Sequence, residues 1–389
     1  MAGKVRSGAL TGVLILGACA APASEAPLSG GAGQGASFEV DHDVPSTPAN
    51  IAWGDFPADK APVARVRPGE TVRIHTISHA GATQAQEPIP FLAADGIGPE
   101  DILQDVLDFW ASREGRPREG RSGHLLTGPV WVEGAEPGDV LEVQILSLET
   151  TASWGVNNTA SRGGVFAESY PGSREGDVGL DIESGARHVI RTGMEGGREV
   201  AYFAPGIQIP LAPFMGIMAV APLNPTVGEP GVTVAGVQGS RPPGAFGGNM
   251  DVNDLVAGTT LYLPVFHEGA LFYTGDPHGV QGDGEVSGTA LEQSLTGTFR
   301  FIVHKDRSIP GPRAESDTHW MLMGIDLDLD RALQKAVREV VDFLVEEKGL
   351  TPAKAFSLAS LAVDFEISEA VDLTQLVTGH IPKSIFAGP

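Results

Sequence analysis

The sequence predicts a mainly β protein with a smaller α+β part at its C-terminus, and three observations carry that prediction. Glycine and proline are abundant, 51 and 29 of 389 residues, which favours turns over long helices. Short runs of alternating or β-branched residues recur through the first 325 positions. Sustained helical spacing of apolar residues begins only beyond about residue 325.

At the N-terminus, Lys4 and Arg6 precede an apolar run over residues 9–18. Residues 1–18 read as a signal peptide, too short to span a membrane as a helix. Leu16-Gly17-Ala18-Cys19 has the form of a lipobox, with Cys19 as the lipidated first residue of the mature chain; ordinary cleavage at Ala18-Cys19-Ala20 or Ala21-Pro22-Ala23 is the alternative. The expected location is the cell envelope, exported and lipid-anchored, or else soluble in the periplasm or medium. Cys19 is the only cysteine, so a cysteine nucleophile and an intrachain disulfide are both excluded. Residues 20–50, rich in Ala, Pro, Ser and Gly, read as a flexible linker.

Residues 51–325 are expected to form a β-rich catalytic core, with 326–389 as an α+β part packed on the same core. Residues 63–67 and 71–77 alternate on either side of Pro68-Gly69, a strand–turn–strand pattern. Pro99 opens a short helix whose apolar face is Ile102, Val106 and Phe109. Strands are expected at 130–133 and 140–148 around the turn at 136–139, and again at 259–266, 270–273 and 296–304. Residues 202–220 are almost uncharged and broken by three prolines, which suits buried β structure and tight turns beneath a site. Leu329, Leu333, Val337, Val340, Val341 and Leu344 keep helical spacing, capped by Asp328 or Asp330 and stopped at Gly349. Thr351-Pro352 starts a shorter helix, followed by a strand at 362–367.

Charge narrows the function. With 26 basic against 49 acidic residues the net charge is −23, which argues against nucleic acid and against anionic membrane surfaces. Any membrane contact is through the lipid anchor only. Nucleotide fingerprints and calcium-loop patterns are absent from the sequence.

The chemistry concentrates in residues 266–292. His278, Asp283 and Glu285 fall within eight residues, among glycines at 279, 282 and 284 that rule out a helix. Gly247-Gly248-Asn249-Met250-Asp251 adds another carboxylate on another glycine turn. No Gly-x-Ser-x-Gly elbow is present, and Ser287 has no base that the sequence can assign to it. A metal-activated water fits these residues better, with zinc or iron held by Asp251, His278 and Glu285. Asp283 or Glu133 would move protons, Asn249 would donate to a substrate carbonyl, and backbone amides of the glycine turns would steady the oxyanion. Each residue also has a structural reading: Asp251 as an Asx-turn or helix cap, His278 as a loop tip, Asp283 as a turn, Glu285 as a solvated strand residue, Glu133 as a strand end, and Asn249 as part of a glycine turn. His124 reads as a ligand, an amide-orienting donor or a core histidine, and His319 as packed beside Trp320. Phe214, Met215 and Met218 read as pocket wall or core. The remaining histidines, His79 and His380 among them, show no ligand-like spacing.

Five ordered segments, at 124–146, 204–222, 247–272, 281–292 and 361–386, resemble the acetamidase/formamidase family, and the resemblance runs from about residue 50 to the C-terminus. It implies hydrolysis of small linear amides such as formamide and acetamide to the acid and ammonia, a β-sandwich-like core, homo-oligomeric assembly and a bound divalent metal. Two positions depart from the family's pattern: Ser287 follows Gly-Glu-Val where relatives often carry cysteine, and Phe246 precedes Gly-Gly-Asn where some carry histidine. The alternatives are therefore an envelope ligand-binding protein of the same fold that has lost turnover, or an amidase for a larger or cyclic amide.

Overall fold

The computed structural model describes residues 39–386, apart from 171, 172, 175, 177, 178, 183 and 184. The expected signal peptide, Cys19 and the linker as far as residue 38 lie outside the described residues. Among the described residues, nineteen strands numbered in chain order form three sheets. The largest runs β1 (His42–Val44), β4 (Thr71–His75), β15 (Leu295–His304), β6 (Val140–Thr150), β13 (Thr260–Pro264), β16 (Arg313–Glu315), β17 (His319–Asp326), β19 (Thr374–Pro382), β18 (Asp364–Asp372). A second runs β12 (Gly247–Asn249), β11 (Phe214–Val220), β14 (Phe272–His278), β5 (Leu125–Val132), β2 (Ile51–Trp53), with β3 (Ala64–Val66) also on β5. The third is β10 (Ile207–Pro210), β9 (Arg198–Ala204), β8 (Ala186–Glu195), β7 (Trp154–Thr159). The helices are α1 (Pro88–Ala93), α2 (Gln104–Ser112), α3 (Leu329–Glu346) and α4 (Pro352–Ala362). The class is mainly β, as the sequence predicts. No helix among the described residues is long and apolar enough to cross a membrane.

The first two sheets enclose the main core, as in a β-sandwich. Val143, Leu261, Phe299 and Phe301 enter it from one sheet, and Leu126, Ile217, Phe272 and Tyr273 from the other. β11 and β14, like the short β12 beside them, are buried at every residue. They pair antiparallel, with Phe214 opposite His278 and Ile217 opposite Gly275.

Several expectations need correction. Residues 42–44, placed by composition in the flexible linker, form β1, which pairs parallel with β4. Residues 63–67 and 71–77 are not a hairpin: β3 joins β5 in one sheet while β4 joins β1 and β15 in the other. The turn at Pro68-Gly69 lets the chain change sheets, because Val66 and Val72 both bury completely in the shared core from opposite sides. Only the second half of 202–220 is buried. Tyr202, Phe203 and Ile207 stand 40–51% exposed on the four-stranded sheet.

The long helix forms as expected, with the Asp328 side chain accepting from Arg331 N. Its buried face, however, is Ala332, Ala336, Val340 and Leu344, while Leu333 is exposed. Size explains the rotation. A Cβ on Gly324 of β17 would strike the Ala332 carbonyl and Ala336 N, so the helix and sheet approach to a distance that only small residues permit.

Candidate active site and metal centre

The glycine-rich segment 266–292 is less of a loop than its composition suggests. Its residues 272–278 are the buried strand β14, and His278 is that strand's last residue, fully buried rather than at a loop tip. The chain then turns through 279–291, and Glu292 returns to form an isolated bridge with His278. Asp251 lies just after β12, and the neighbouring strand β11 carries Gly216 between them. A Cβ there would collide with Asp251 Oδ1 and come within 2.8 Å of His278 Cε1. The missing side chain at Gly216 is therefore part of the site's shape.

Around His278 the carboxylates gather in overlapping groups. Its Nε2 lies 3.3 Å from Asp276 Oδ2 and 3.4 Å from Glu292 Oε1, and its Nδ1 lies 3.8 Å from Asp251 Oδ1. Ligand atoms within 4.8 Å of one another define Asp251–Asp276–His278, His278–Glu285–Glu292 and Asp251–Glu285–Asp372. Asp251, His278 and Glu285 are thus adjacent in pairs, each pair completed by a further carboxylate. The Phe214 ring stands edge-on to the imidazole at 5.0 Å, which holds its plane.

The groups are held under strain. Asp251, Asp276 and Glu285 adopt φ of 48°, 50° and 44°, the left-handed region that costs a non-glycine residue about 1–2 kcal/mol. Many of their polar atoms lack a partner. Asp251 Oδ1, both ring nitrogens of His278, Glu292 Oε2 and Asn249 Oδ1 are buried without a hydrogen bond. Such atoms ordinarily find a partner or a cation, because each one left alone costs about 1–3 kcal/mol.

Electrostatics follows from the crowding. Burial and then the Glu285 charge push the Asp251 carboxyl well above its usual range. Burial and then Asp372 do the same to Glu285, and to Glu369, whose Oε2 accepts from the amides of Val371 and Asp372. Burial would raise Asp276 too, but His124 and His278 outweigh it and hold that carboxyl low. Burial would lower His278, yet Glu292 and Asp276 together keep it well above the usual imidazole value.

The other residues singled out by sequence are dispersed. Asn249 is central and buried, but its Nδ2 donates to Asp251 Oδ2 at 2.9 Å and to Asp372 Oδ2. Both amide hydrogens are spent on carboxylates, leaving none for a substrate carbonyl. Asp283 is exposed and accepts from Asn253 Nδ2 at 2.9 Å, outside the buried group. Glu133 is exposed at the end of β5, within the electrostatic reach of Arg67, and is not brought to the centre. Ser287 is engaged by Asn157 and donates to Thr289 O, and neither partner is a base. Phe246 packs edge-on against Phe56 in the core. Met215 and Met218 are fully enclosed core residues.

Sequence reasoning missed Asp276, Glu292, Glu369, Asp372 and His79. Asp276 carried a usable signal: in a strand, residues two apart face one side, and it stands two before His278. Glu292 and the pair Glu369 and Asp372 carried none, since only tertiary structure brings them near. His79, 28% exposed, sets Nδ1 3.6 Å from Glu292 Oε2. His124, 17% exposed, sets Nε2 4.0 Å from Asp276 Oδ2 while Nδ1 meets Ser240 Oγ at 3.0 Å. These two histidines link the buried carboxylates to the protein's exterior.

Comparison with known proteins shows the family of the chain. The model of the acetamidase/formamidase family matches residues 116–230 and 225–388, most of the chain. The chain belongs to the acetamidase/formamidase family. It is an amidohydrolase of that family. A formamidase of Methylophilus methylotrophus is 25% identical over 381 residues, covering 83% of this chain and 86% of that protein. An acetamidase of Mycolicibacterium smegmatis is 29% identical over 296 residues, 64% of this chain and 65% of that one. The crystal structure of an acetamidase from Bacillus halodurans superposes with a TM-score of 0.67 at 26% identity, covering 88% of this chain and 98% of that one. Asp251, Asp276, His278, Glu285, Glu292 and Asp372 all lie within the segments that the family model matches.

Proposed function

We propose that the protein hydrolyses small linear amides of the formamide and acetamide type to carboxylate and ammonia, at the centre built around His278. The observation that carries this reading is an excess of buried negative charge. Asp251, Asp276, Glu285, Glu292, Glu369 and Asp372 are each no more than 7% exposed, and the fully buried basic side chain among them is His278. A protein keeps such a group only where a cation or a proton offsets it.

The donor set suits a divalent metal such as zinc or iron. Asp251, His278 and Glu285, with Asp276 alongside, would hold it, and the unpartnered Asp251 and His278 atoms supply the open valences. Bound there, the ion would make hydroxide available near neutral pH. The chain's own residues do the rest. Asn249 keeps Asp251 and Asp372 oriented through its two amide hydrogens. Glu292 and the partly exposed His79 carry protons between the centre and solvent, the leaving nitrogen taking one of them. His124, braced by Ser240, steadies Asp276.

The same reading includes export with lipid attachment at Cys19, supported by the N-terminal sequence pattern, and homo-oligomeric assembly, supported by the family resemblance. The test is ammonia release from formamide, acetamide and propionamide before and after chelation. Release that a chelator abolishes and zinc or iron restores supports the metal-dependent reading. Release that survives chelation moves the chemistry to a carboxylate-activated water. No release from folded, metal-loaded protein overturns the small-amide assignment.

A further inference from the structure

A second group of metal-ligating side chains lies outside the centre. Asp254, Glu366 and His380 each offer one ligand atom, and the three atoms are within 4.8 Å of one another. His380 Nε2 is 3.4 Å from Glu366 Oε2 and 3.6 Å from Asp254 Oδ2. The His380 side chain is only 12% exposed, and its Nε2 is buried with no hydrogen-bond partner.

Register explains how the strands bring two of these together. Asp364 pairs with His380 and Glu366 with Thr378, so Glu366 and His380 are diagonal neighbours on one face of the β18–β19 pair. Asp254 arrives from the turn after Asp251. Asp283, tied to that turn by Asn253, acts electrostatically on both carboxylates.

A simple ion pair does not account for the spacing. A charged imidazole–carboxylate hydrogen bond closes to about 2.7–2.9 Å. Here one nitrogen stands between two carboxylates at longer range and bonds to neither. In a tetrahedral zinc site with bonds of about 2.0–2.2 Å, neighbouring ligand atoms are held about 3.3–3.6 Å apart. The two measured separations match that spacing. The charged groups that act most strongly on Asp254 and Glu366 are the imidazoles of His380 and, for Asp254, His319, together with neighbouring carboxylates, and none of them is a lysine or arginine.

We propose that Asp254, Glu366 and His380 form a second divalent-cation site of the zinc type, on the face of the β18–β19 pair opposite α3 and separate from the centre at His278. A water completes its fourth position. The ion would brace the turn that carries Asp251 against the strand that carries Glu369 and Asp372, so its role is structural. This inference stands whether or not the centre at His278 binds metal.

The test titrates metal-stripped full-length protein with Zn2+ by calorimetry and follows Co2+ by its visible absorption. Glu366→Gln is the main variant, because Glu366 is 46% exposed and the fold does not depend on it; His380→Gln is the second, and Asp251→Asn reports on the other centre. Wild type should bind one equivalent more than E366Q or H380Q. The D251N protein should keep a tetrahedral Co2+ spectrum that the D251N/E366Q pair loses. Equal stoichiometry in wild type and folded E366Q, with no spectral difference, overturns the proposal and leaves His380 as a buried ion-pair partner.

Discussion

His278 Nδ1 stands 3.8 Å from Asp251 Oδ1, and neither atom has a hydrogen-bond partner although both side chains are fully buried. Asp251 sits at φ 48° just after a short strand, and His278 ends the strand two places across the sheet. Two groups that could neutralise each other are held just too far apart to do so. That gap is where the chemistry of the centre is expected.

Replacing either residue should empty the centre. D251N and H278A are expected to lower ammonia release beyond the roughly 10–100-fold loss that follows changes to outer supporting groups. Bound metal, measured by mass spectrometry on protein shown to be folded by circular dichroism, should fall in parallel. Full activity in either variant would remove that residue from the centre.

Gly216→Ala should be disproportionately harmful for one methyl group. The added Cβ enters the space between Asp251 and His278, so overpacking of about 1–3 kcal/mol and loss of most activity are expected. Gly282→Ala is the control, since a Cβ there meets nothing within 4 Å. Urea midpoints and ammonia release on the two variants decide the point, and equal behaviour would count against the packed geometry.

Glu133→Gln should leave kcat/KM within about twofold of wild type, as surface changes away from a site usually do. Its carboxylate is exposed at the end of β5, near Arg67 rather than His278. A hundredfold loss would restore the proton-transfer role that its sequence context suggests.

Glu70 supplies a test of acid stability. Its carboxylate accepts from Arg67 N at 2.8 Å, from His42 Nε2 at 2.9 Å and from the Arg67 guanidinium, which together lower it to about 2. A carboxyl depressed in the folded state stabilises above its unfolded value and loses that contribution as pH falls through the folded one. The stability advantage of wild type over E70Q should therefore be constant above about pH 4.5 and vanish by about pH 2. Thermal midpoints measured across that window check it; a difference independent of pH would assign the effect to packing.

Much of this protein could be read without coordinates. Local signals determined the class, because glycine–proline punctuation and two-residue alternation are properties of neighbouring residues. They placed α3 with its Asp328 cap and singled out Asp251, His278 and Glu285, and the family resemblance rests on ordered motifs in the chain itself. What they could not supply was any relation between distant segments. β3 and β4 enter different sheets because Val66 and Val72 fill one core from two sides, and nothing in the turn between them encodes that. The face of α3 turned on the close approach at Gly324, a contact with another element. Glu292, Glu369 and Asp372 are unremarkable glutamates and an aspartate in sequence. They join the centre only because β14 turns back on itself and β18 runs beside the loop at 284, so that Gly284 bridges to Glu369. The ligand types were a matter of composition and spacing, whereas their convergence was a matter of packing, which depends on every strand between them.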